Sequence, residues 1–284
     1  MLDKWTYHSG TRISPEAAVP IIKETSSSFQ IGGAGNALRH LDALTDHSNK
    51  LITVAGDDQN GKKLQEIIQS AKHLVDIEIV ESRVTTLKDR FFLDNQPVFR
   101  IDAEENVDIP FKTQANIMKS LKEEVENYDV ILLSDYAKGV LTRSLVDDII
   151  GLSRTKLIPI VTDPGFGRLD IFKGCTAIKP NAIEWDEYVK SIGNESKGIA
   201  RLFDHGTQYL LITQGADGVR LITPEMDILV KPDRNVKVVD VTGAGDSVAA
   251  ATTLLVGNGY PLSDNLKLLN DIGAKTVQNP KTEL

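Results

Sequence analysis

Two runs in this 284-residue chain, Val130-Ile131-Leu132-Leu133 and Tyr209-Leu210-Leu211-Ile212, are apolar at every position rather than at every second one. A strand without a polar face has to be covered on both sides, which points to a parallel sheet sandwiched between helices. Hydrophobic spacing around these runs supplies the helices. It predicts helices over 116–128, 144–153, 184–192, 245–257 and 263–277. Strands over 130–134, 158–162, 177–179 and 209–213 alternate with them, and a hairpin covers 219–230. The expected fold class is α/β: a three-layer α/β/α arrangement with a mostly parallel sheet.

The first hundred residues follow a different pattern. Pro15 and Pro20 break up the opening segment, so the first thirty residues read as short extended pieces. A helix is expected over 36–44, a buried strand over 51–55 and a helix over 64–74. Strands follow over 76–80, 85–93 and 97–102, the last two joined at Asp94-Asn95-Gln96. These antiparallel pieces do not fit the parallel sheet. They suggest a small β lid, formed by about 11–24 and 76–102, inserted into a single domain spanning 1–284.

Composition narrows the function classes. Forty acidic against thirty-two basic residues give a net charge of −8, the wrong sign for a nucleic-acid-binding face. Cys175 is the only cysteine, so neither an internal disulfide framework nor a cysteine zinc site is available. No run approaches the ~18 apolar residues of a membrane span, and Met1 to Gly10 lacks the apolar core of a signal peptide. A cytoplasmic location, without nucleic-acid or membrane partners, is expected.

Three constellations carry chemistry. Asp240-Val241-Thr242-Gly243-Ala244-Gly245-Asp246 runs into an Ala/Val/Leu-rich helix. Its glycines let backbone approach an anion, and the first-turn N–H groups of Gly243, Ala244 and Gly245 would hold negative charge. Asp246 is then placed to take a proton from an attacking hydroxyl. The bland alternative is an acid favoured in a helix's first turn. Gly32-Gly33-Ala34-Gly35-Asn36 opens an earlier helix, either as a phosphate or sugar cradle read by Asn36 or as a tight turn. It fits neither the dinucleotide fingerprint nor a Walker loop. Lys179-Pro180-Asn181-Ala182-Ile183-Glu184 places two oxygen-bearing side chains three apart at a helix start. That suits hydrated Mg²⁺ or plain helix capping.

Taken in this order, the three motifs resemble the ribokinase-like (PfkB) carbohydrate kinases. Thr213-Gln214-Gly215-Ala216-Asp217-Gly218 sits between the last two as it does in that family, and the likeness covers nearly the whole chain. A narrower resemblance, to bacterial D-glycero-β-D-manno-heptose-7-phosphate kinases, lies in three strings. These are Arg12-Ile13-Ser14-Pro15-Glu16-Ala17-Ala18-Val19-Pro20, Arg100-Ile101-Asp102-Ala103-Glu104-Glu105 and Leu133-Ser134-Asp135-Tyr136-Ala137-Lys138-Gly139-Val140-Leu141.

The resemblance implies phosphoryl transfer from ATP to the anomeric hydroxyl of heptose 7-phosphate, an early step toward ADP-heptose for lipopolysaccharide or related glycans. Asp246 would be the base, with Gly243, Ala244 and Gly245 as the anion hole. Asn181 and Glu184 would organise Mg²⁺, and Lys179 would approach the phosphates. Thr213, Gly215 and Gly218 would line the nucleotide site, with Asn270 near the adenine. Asp240 and Thr242 match a monovalent-cation site. Asp3, Gly33 and Asn36 match sugar-hydroxyl positions. Lys88, Arg90 and Arg100 in the lid, with Lys138, are the candidate cations for the sugar's phosphate. Pairing of lids would give a homodimer.

The sequence also departs from those families. Relatives begin with a central apolar strand ending in Gly-Asp that has no counterpart here, so either the gene starts further upstream or the sheet is rearranged. Gly165 follows Asp163-Pro164 where heptose kinases carry Lys, leaving Arg168 as the substitute cation, and Gln214 replaces a common Arg. These departures keep two alternatives open: a kinase for another sugar or sugar phosphate, and a non-catalytic protein that binds sugar or nucleotide.

Overall fold

The computed structural model describes residues 1–46, 48–71, 74–232 and 236–278. The chain divides into two compact units, residues 1–35 with 50–107, and residues 36–49 with 108–284.

The first unit opens with β1 (Leu2–Ile13) and β2 (Pro20–Ile31). Helix α1 (Ala34–Leu44) follows and carries the chain into the second unit. The chain returns through β3 (Lys50–Gly56), α2 (Gln59–Ala71), β4 (Leu74–Val80), β5 (Leu87–Leu93) and β6 (Gln96–Ala103). Strands β2-β1-β5-β6 form one sheet, and β3 and β4 form a parallel pair. The opening is thus two twelve-residue strands, not the short pieces expected. Pro20 is the first residue of β2 and Pro15 lies in the connecting turn, so neither proline interrupts the ladder. The helix expected over 64–74 begins earlier and ends earlier. The Asp58 carboxylate caps it by accepting from the Gly61 N–H at 2.7 Å, and Leu74 already belongs to β4. Asp94 and Asn95 alone make the β5–β6 turn, at φ +47° and +64°, with Leu93 paired to Gln96. Two consecutive left-handed residues are what a two-residue hairpin requires. Leu2, Ile31, Ala55, Leu64 and Ile68 form this unit's core.

The second unit continues with α3 (Phe111–Glu124), β7 (Ile131–Ser134), α4 (Arg143–Lys156), β8 (Ile160–Asp163), β9 (Ala177–Ile178), α5 (Ala182–Ile192), α6 (Glu195–Phe203), β10 (Tyr209–Thr213), β11 (Val219–Ile222), β12 (Asp227–Val230), α7 (Ala244–Gly257) and α8 (Leu266–Gln278). The sheet order is β12-β11-β10-β9-β8-β7. Strands β7 to β10 are parallel, and β11 and β12 run antiparallel at the far edge. Helices cover both faces, giving a three-layer α/β/α architecture. On one side Leu211, Val219 and Leu221 pack with Val248 and Ala251 of α7 and Leu266 and Leu269 of α8. Helix α3 starts five residues before its expected onset because Pro110, extended at ψ 148°, forms its N-terminal boundary. Helix α6 was not anticipated. Asn194 caps it by accepting from the Lys197 N–H, directly after the left-handed Gly193 that ends α5. Among the described residues no helix is long and apolar enough to cross a membrane.

Leu211 is fully enclosed in the α7/α8 cluster. Leu211→Ala should cost about 2–5 kcal/mol, measured as a lowered midpoint of urea unfolding. An unchanged midpoint would mean that this face is not packed as described.

Candidate active site

The carboxyl ends of strands in an open parallel sheet are where such folds place ligands, and here β7, β8, β9 and β10 end at Ser134, Asp163, Ile178 and Thr213. The best-defined feature at this end is the start of α7. Gly243 precedes it at φ +82°, a backbone conformation that costs glycine little, and no side chain caps the helix. Among the described residues the Ala244 N–H reaches the Val241 carbonyl, at 3.4 Å. The amides of Gly245 and Asp246 belong to the first turn, which an α-helix leaves without internal acceptors and which carries its positive dipole end.

Asp246, in that turn, is held through both oxygens. Oδ1 accepts from the Tyr136 hydroxyl at 2.5 Å, and Oδ2 accepts from Nδ2 of Asn36 at 2.5 Å. Beside them lies a buried ion pair. Lys179, just beyond β9, is 2% exposed and its Nζ is 2.9 Å from Oδ1 of Asp163 at the end of β8. A methyl group added at Gly245 would stand 3.8 Å from this ammonium and 4.0 Å from Oδ2 of Asp163. The pair and the helix start therefore share one small volume. Burial pushes the Asp163 carboxyl up to about 7; Lys179 opposes that rise, while the charges of Asp246 and Glu184 add to it. The Tyr136 hydroxyl is driven well above its ordinary value by burial and then by Asp246 and Asp163, so it stays a donor.

Asn181 and Glu184 form a complete capping box at the head of α5. Asn181 Oδ1 accepts from the Glu184 N–H at 3.0 Å, and Glu184 Oε2 accepts from the Asn181 N–H at 2.8 Å. Burial raises the Glu184 carboxyl. Among the described residues no group of three His, Cys, Asp or Glu side chains could hold a metal by itself. The oxygen-rich surroundings of Asp163, Glu184 and Asp246 nonetheless suit a divalent cation that arrives on phosphates and keeps its waters.

Thr213 bridges to Asn181, and its N–H donates to the Pro180 carbonyl at 3.0 Å. Gly215 and Gly218 frame a 3-10 turn at φ +55° and +100°. A Cβ at Gly218 would come within 2.1 Å of the Val230 carbonyl oxygen, so only glycine fits there. Asn270 is buried, and its Nδ2 donates to that same carbonyl at 2.6 Å, tying α8 to the end of β12. Asp240 Oδ1 accepts from both the N–H and the hydroxyl of Thr242, making a closed loop ahead of Gly243. Lys138 is half-buried on the turn that follows Tyr136.

In the first unit, register places Asp3, Lys88, Arg90 and Arg100 on one face of the four-stranded sheet. Asp3 Oδ1 accepts from Arg90 at 2.7 Å, and Arg90 also stacks over Trp5. A Cβ at Gly32 would meet Asp3 Oδ2 at 2.2 Å, and Gly33 sits at φ +59° against Met1. Arg100 is engaged by both oxygens of Asp102 on the exposed strand β6, at 2.7 and 2.8 Å.

Two residues of this cluster carry no local signal in the sequence: Tyr136, within Leu133–Leu141, and Asp163, ahead of Pro164. Arg168, expected as a substitute cation, is committed elsewhere: Nε donates to the buried Asp135 at 2.6 Å and Nη2 to the Leu141 carbonyl. Gly165 lies against Ala137, whose nitrogen a Cβ there would approach to 2.9 Å.

Residues 9–284 match the model of the "pfkB family carbohydrate kinase". The "Bifunctional protein HldE" of Bradyrhizobium diazoefficiens is 31% identical over 294 residues, covering 100% of this chain and 59% of that protein. Its counterpart in Geobacter sulfurreducens is 34% identical over 282 residues, covering 95% and 56%. The chain thus spans less than two thirds of the length of these curated relatives. Among solved structures, phosphofructokinase-2 from Escherichia coli in complex with potassium has a TM-score of 0.77 at 18% identity, covering 100% of this chain and 92% of that one. A likeness at that identity concerns the fold.

Because the folded value of Asp163 lies above its unfolded value of 3.8, its contribution to stability is fully present below pH 3.8 and is lost as pH rises to about 7. Side-chain carboxyl ¹³C NMR should show one aspartate titrating near neutrality. Asp246→Asn should lower that midpoint by removing a neighbouring negative charge, and a midpoint that stayed put would contradict the proximity described.

Proposed function

The chain belongs to the pfkB family of carbohydrate kinases, ATP-dependent phosphotransferases, and on that premise we propose that it phosphorylates the anomeric hydroxyl of D-glycero-β-D-manno-heptose 7-phosphate to give the 1,7-bisphosphate. The observation that carries the chemistry is the Asp246 carboxylate at the uncapped start of α7, with the Lys179 ammonium beside it. Asp246 takes the proton of the acceptor hydroxyl as its oxygen bonds to the terminal phosphorus. Backbone N–H groups of the Gly243–Gly245 turn hold the transferring oxygens, and Lys179 offsets their charge. Thr213, Gly215 and Gly218 line the nucleotide site, with Asn270 fixing its floor. Mg²⁺, held through water near Asn181 and Glu184, would neutralise the phosphates. Asp240 and Thr242, joined by two hydrogen bonds ahead of Gly243, are the proposed monovalent-cation residues.

The heptose assignment rests on the three strings shared with heptose kinases and on identities above 30% to the bifunctional HldE proteins. Asp3, Gly33 and Asn36 are the proposed readers of sugar hydroxyls, and Lys88, Arg90, Arg100 and Lys138 of the 7-phosphate. Of these, Arg90 and Arg100 already hold carboxylates, so a phosphate would have to displace or join Asp3 and Asp102. Gly165, in place of the usual Lys, favours testing other sugar phosphates alongside. Products of this reaction would feed nucleotide-sugar synthesis in the cytoplasm. Val98, Phe99 and Ile101 leave apolar side chains exposed on β6, and pairing with a second copy through this sheet would cover them.

A panel of sugar phosphates, including fructose 6-phosphate, with coupled detection of ADP should give the highest kcat/KM for the heptose. Equal rates across the panel would defeat that assignment. Asp246→Asn should lower kcat by about 10²–10⁴-fold with the fold intact by circular dichroism, and near-normal turnover would remove Asp246 as base. Light scattering at micromolar concentration should report a dimer that Phe99→Asp dissociates; a monomeric wild type would refute the pairing.

A further inference from the structure

The hydroxyl of Tyr136 is one of only two side-chain groups bonded to Asp246 among the described residues, and nothing in the chemistry above uses it. Its loop is fixed without it. Asp135 is buried; its Oδ1 accepts from the Ala137 N–H at 2.9 Å and its Oδ2 from Arg168 at 2.6 Å. The Asp135 N–H donates to the Asp163 carbonyl at 2.9 Å. Ala137 adopts φ +55°, unusual for a residue with a Cβ, and Gly165 packs against it. A backbone held this firmly in a sparsely populated conformation presents the side chain between its two neighbours at a set place. That side chain ends on Asp246.

We propose that Tyr136 is a positioning residue for phosphoryl transfer: its hydroxyl, opposite the Asn36 amide, clamps the Asp246 carboxylate so that the oxygens face the acceptor hydroxyl in one fixed plane. The inference rests on the reading of Asp246 as base. Each carboxylate oxygen has two lone-pair sites, and the clamp takes one from each. The acceptor O–H therefore still finds a free site, and its proton passes to Asp246 as the new O–P bond forms. The bond from the terminal phosphorus to the bridging oxygen breaks, and ADP leaves with that electron pair. Tyr136 keeps its own proton throughout.

The charged groups acting on this hydroxyl are Asp246 on α7 and Asp163 at the end of β8; Lys179 after β9 and Glu184 on α5 act on Asp163 in turn, and Asp135 on the same loop is turned to Arg168 and the Ala137 N–H. Two nearby carboxylates and burial keep the phenol un-ionised, so it donates over the whole range in which a kinase is assayed. A purely structural tyrosine would not need its oxygen, because the loop is tied down by Asp135 and Arg168.

Tyr136→Phe removes that one oxygen and keeps the ring. A clamp predicts kcat lowered by about ten- to a hundredfold, KM for ATP and for the sugar phosphate within twofold of wild type, and an unchanged melting temperature. A kcat within twofold of wild type overturns the proposal, as does a loss confined to KM or accompanied by a large drop in melting temperature. A second measurement does not depend on turnover. In protein labelled with 3-fluorotyrosine, the Tyr136 ¹⁹F resonance, assigned by its absence in Tyr136→Phe, should move in Asp246→Asn. A resonance that stays in place overturns the contact itself. A wild-type protein that phosphorylates no sugar in the panel, yet shows the ¹⁹F shift, would defeat the assigned function while leaving the clamp in place.

Discussion

An ammonium as enclosed as that of Lys179 has to be neutralised where it sits, since taking a charge out of water costs several kcal/mol. Asp163 supplies the counter-charge from the end of the neighbouring strand, at 2.9 Å. Burial first, and then the charges of Asp246 and Glu184, push Asp163 toward holding a proton against the pull of Lys179. A carboxylate surplus around one buried lysine is unfavourable on its own. Under the proposed function it would become useful on binding a polyphosphate with a divalent cation: the metal would offset the excess negative charge and Lys179 would face the phosphate. Stability has been traded for a prepared electrostatic field.

The same reasoning orders the α7 start. With glycine at the cap position, forgoing a side-chain cap costs only about a few tenths of a kcal/mol. Here the position where a Ser or Asp would ordinarily cap is Gly243 at φ +82°. Its amides thereby remain open to a ligand, and Asp246 in the first turn gains from the helix dipole. The carboxylate is nevertheless kept from turning onto those amides, because Tyr136 and Asn36 hold one oxygen each.

Much of this could be read from the residues. Doubly apolar strands, the Gly243–Asp246 string and the capping-box spacing of Asn181 and Glu184 are local patterns, and local patterns survive translation into structure. Boundaries moved where a cap or a proline acted outside the periodic stretch, as Asp58 does for α2 and Pro110 for α3. Helix α6 has little periodic signal of its own, because its nine residues follow closely on another helix and carry only a short apolar stripe. Arg168 illustrates a different limit: its charge is visible in sequence, but that it is consumed by Asp135 and the Leu141 carbonyl is not.

By itself the sequence determined the α/β class, the parallel core and the glycine-flanked aspartate that most invites chemistry. Each of these follows from side-chain periodicity or from backbone freedom within a few residues. Of the strands ahead of the core, expected to be antiparallel, β1 pairs with β5 and β3 with β4 in parallel. Only the tertiary structure decided what Asp246 touches. Asn36 lies 210 positions away and Tyr136 110 positions away. Which distant donors reach a carboxylate depends on how strands from separate parts of the chain end side by side. No periodicity encodes that, because it is a property of the packed sheet and of the loops that leave it.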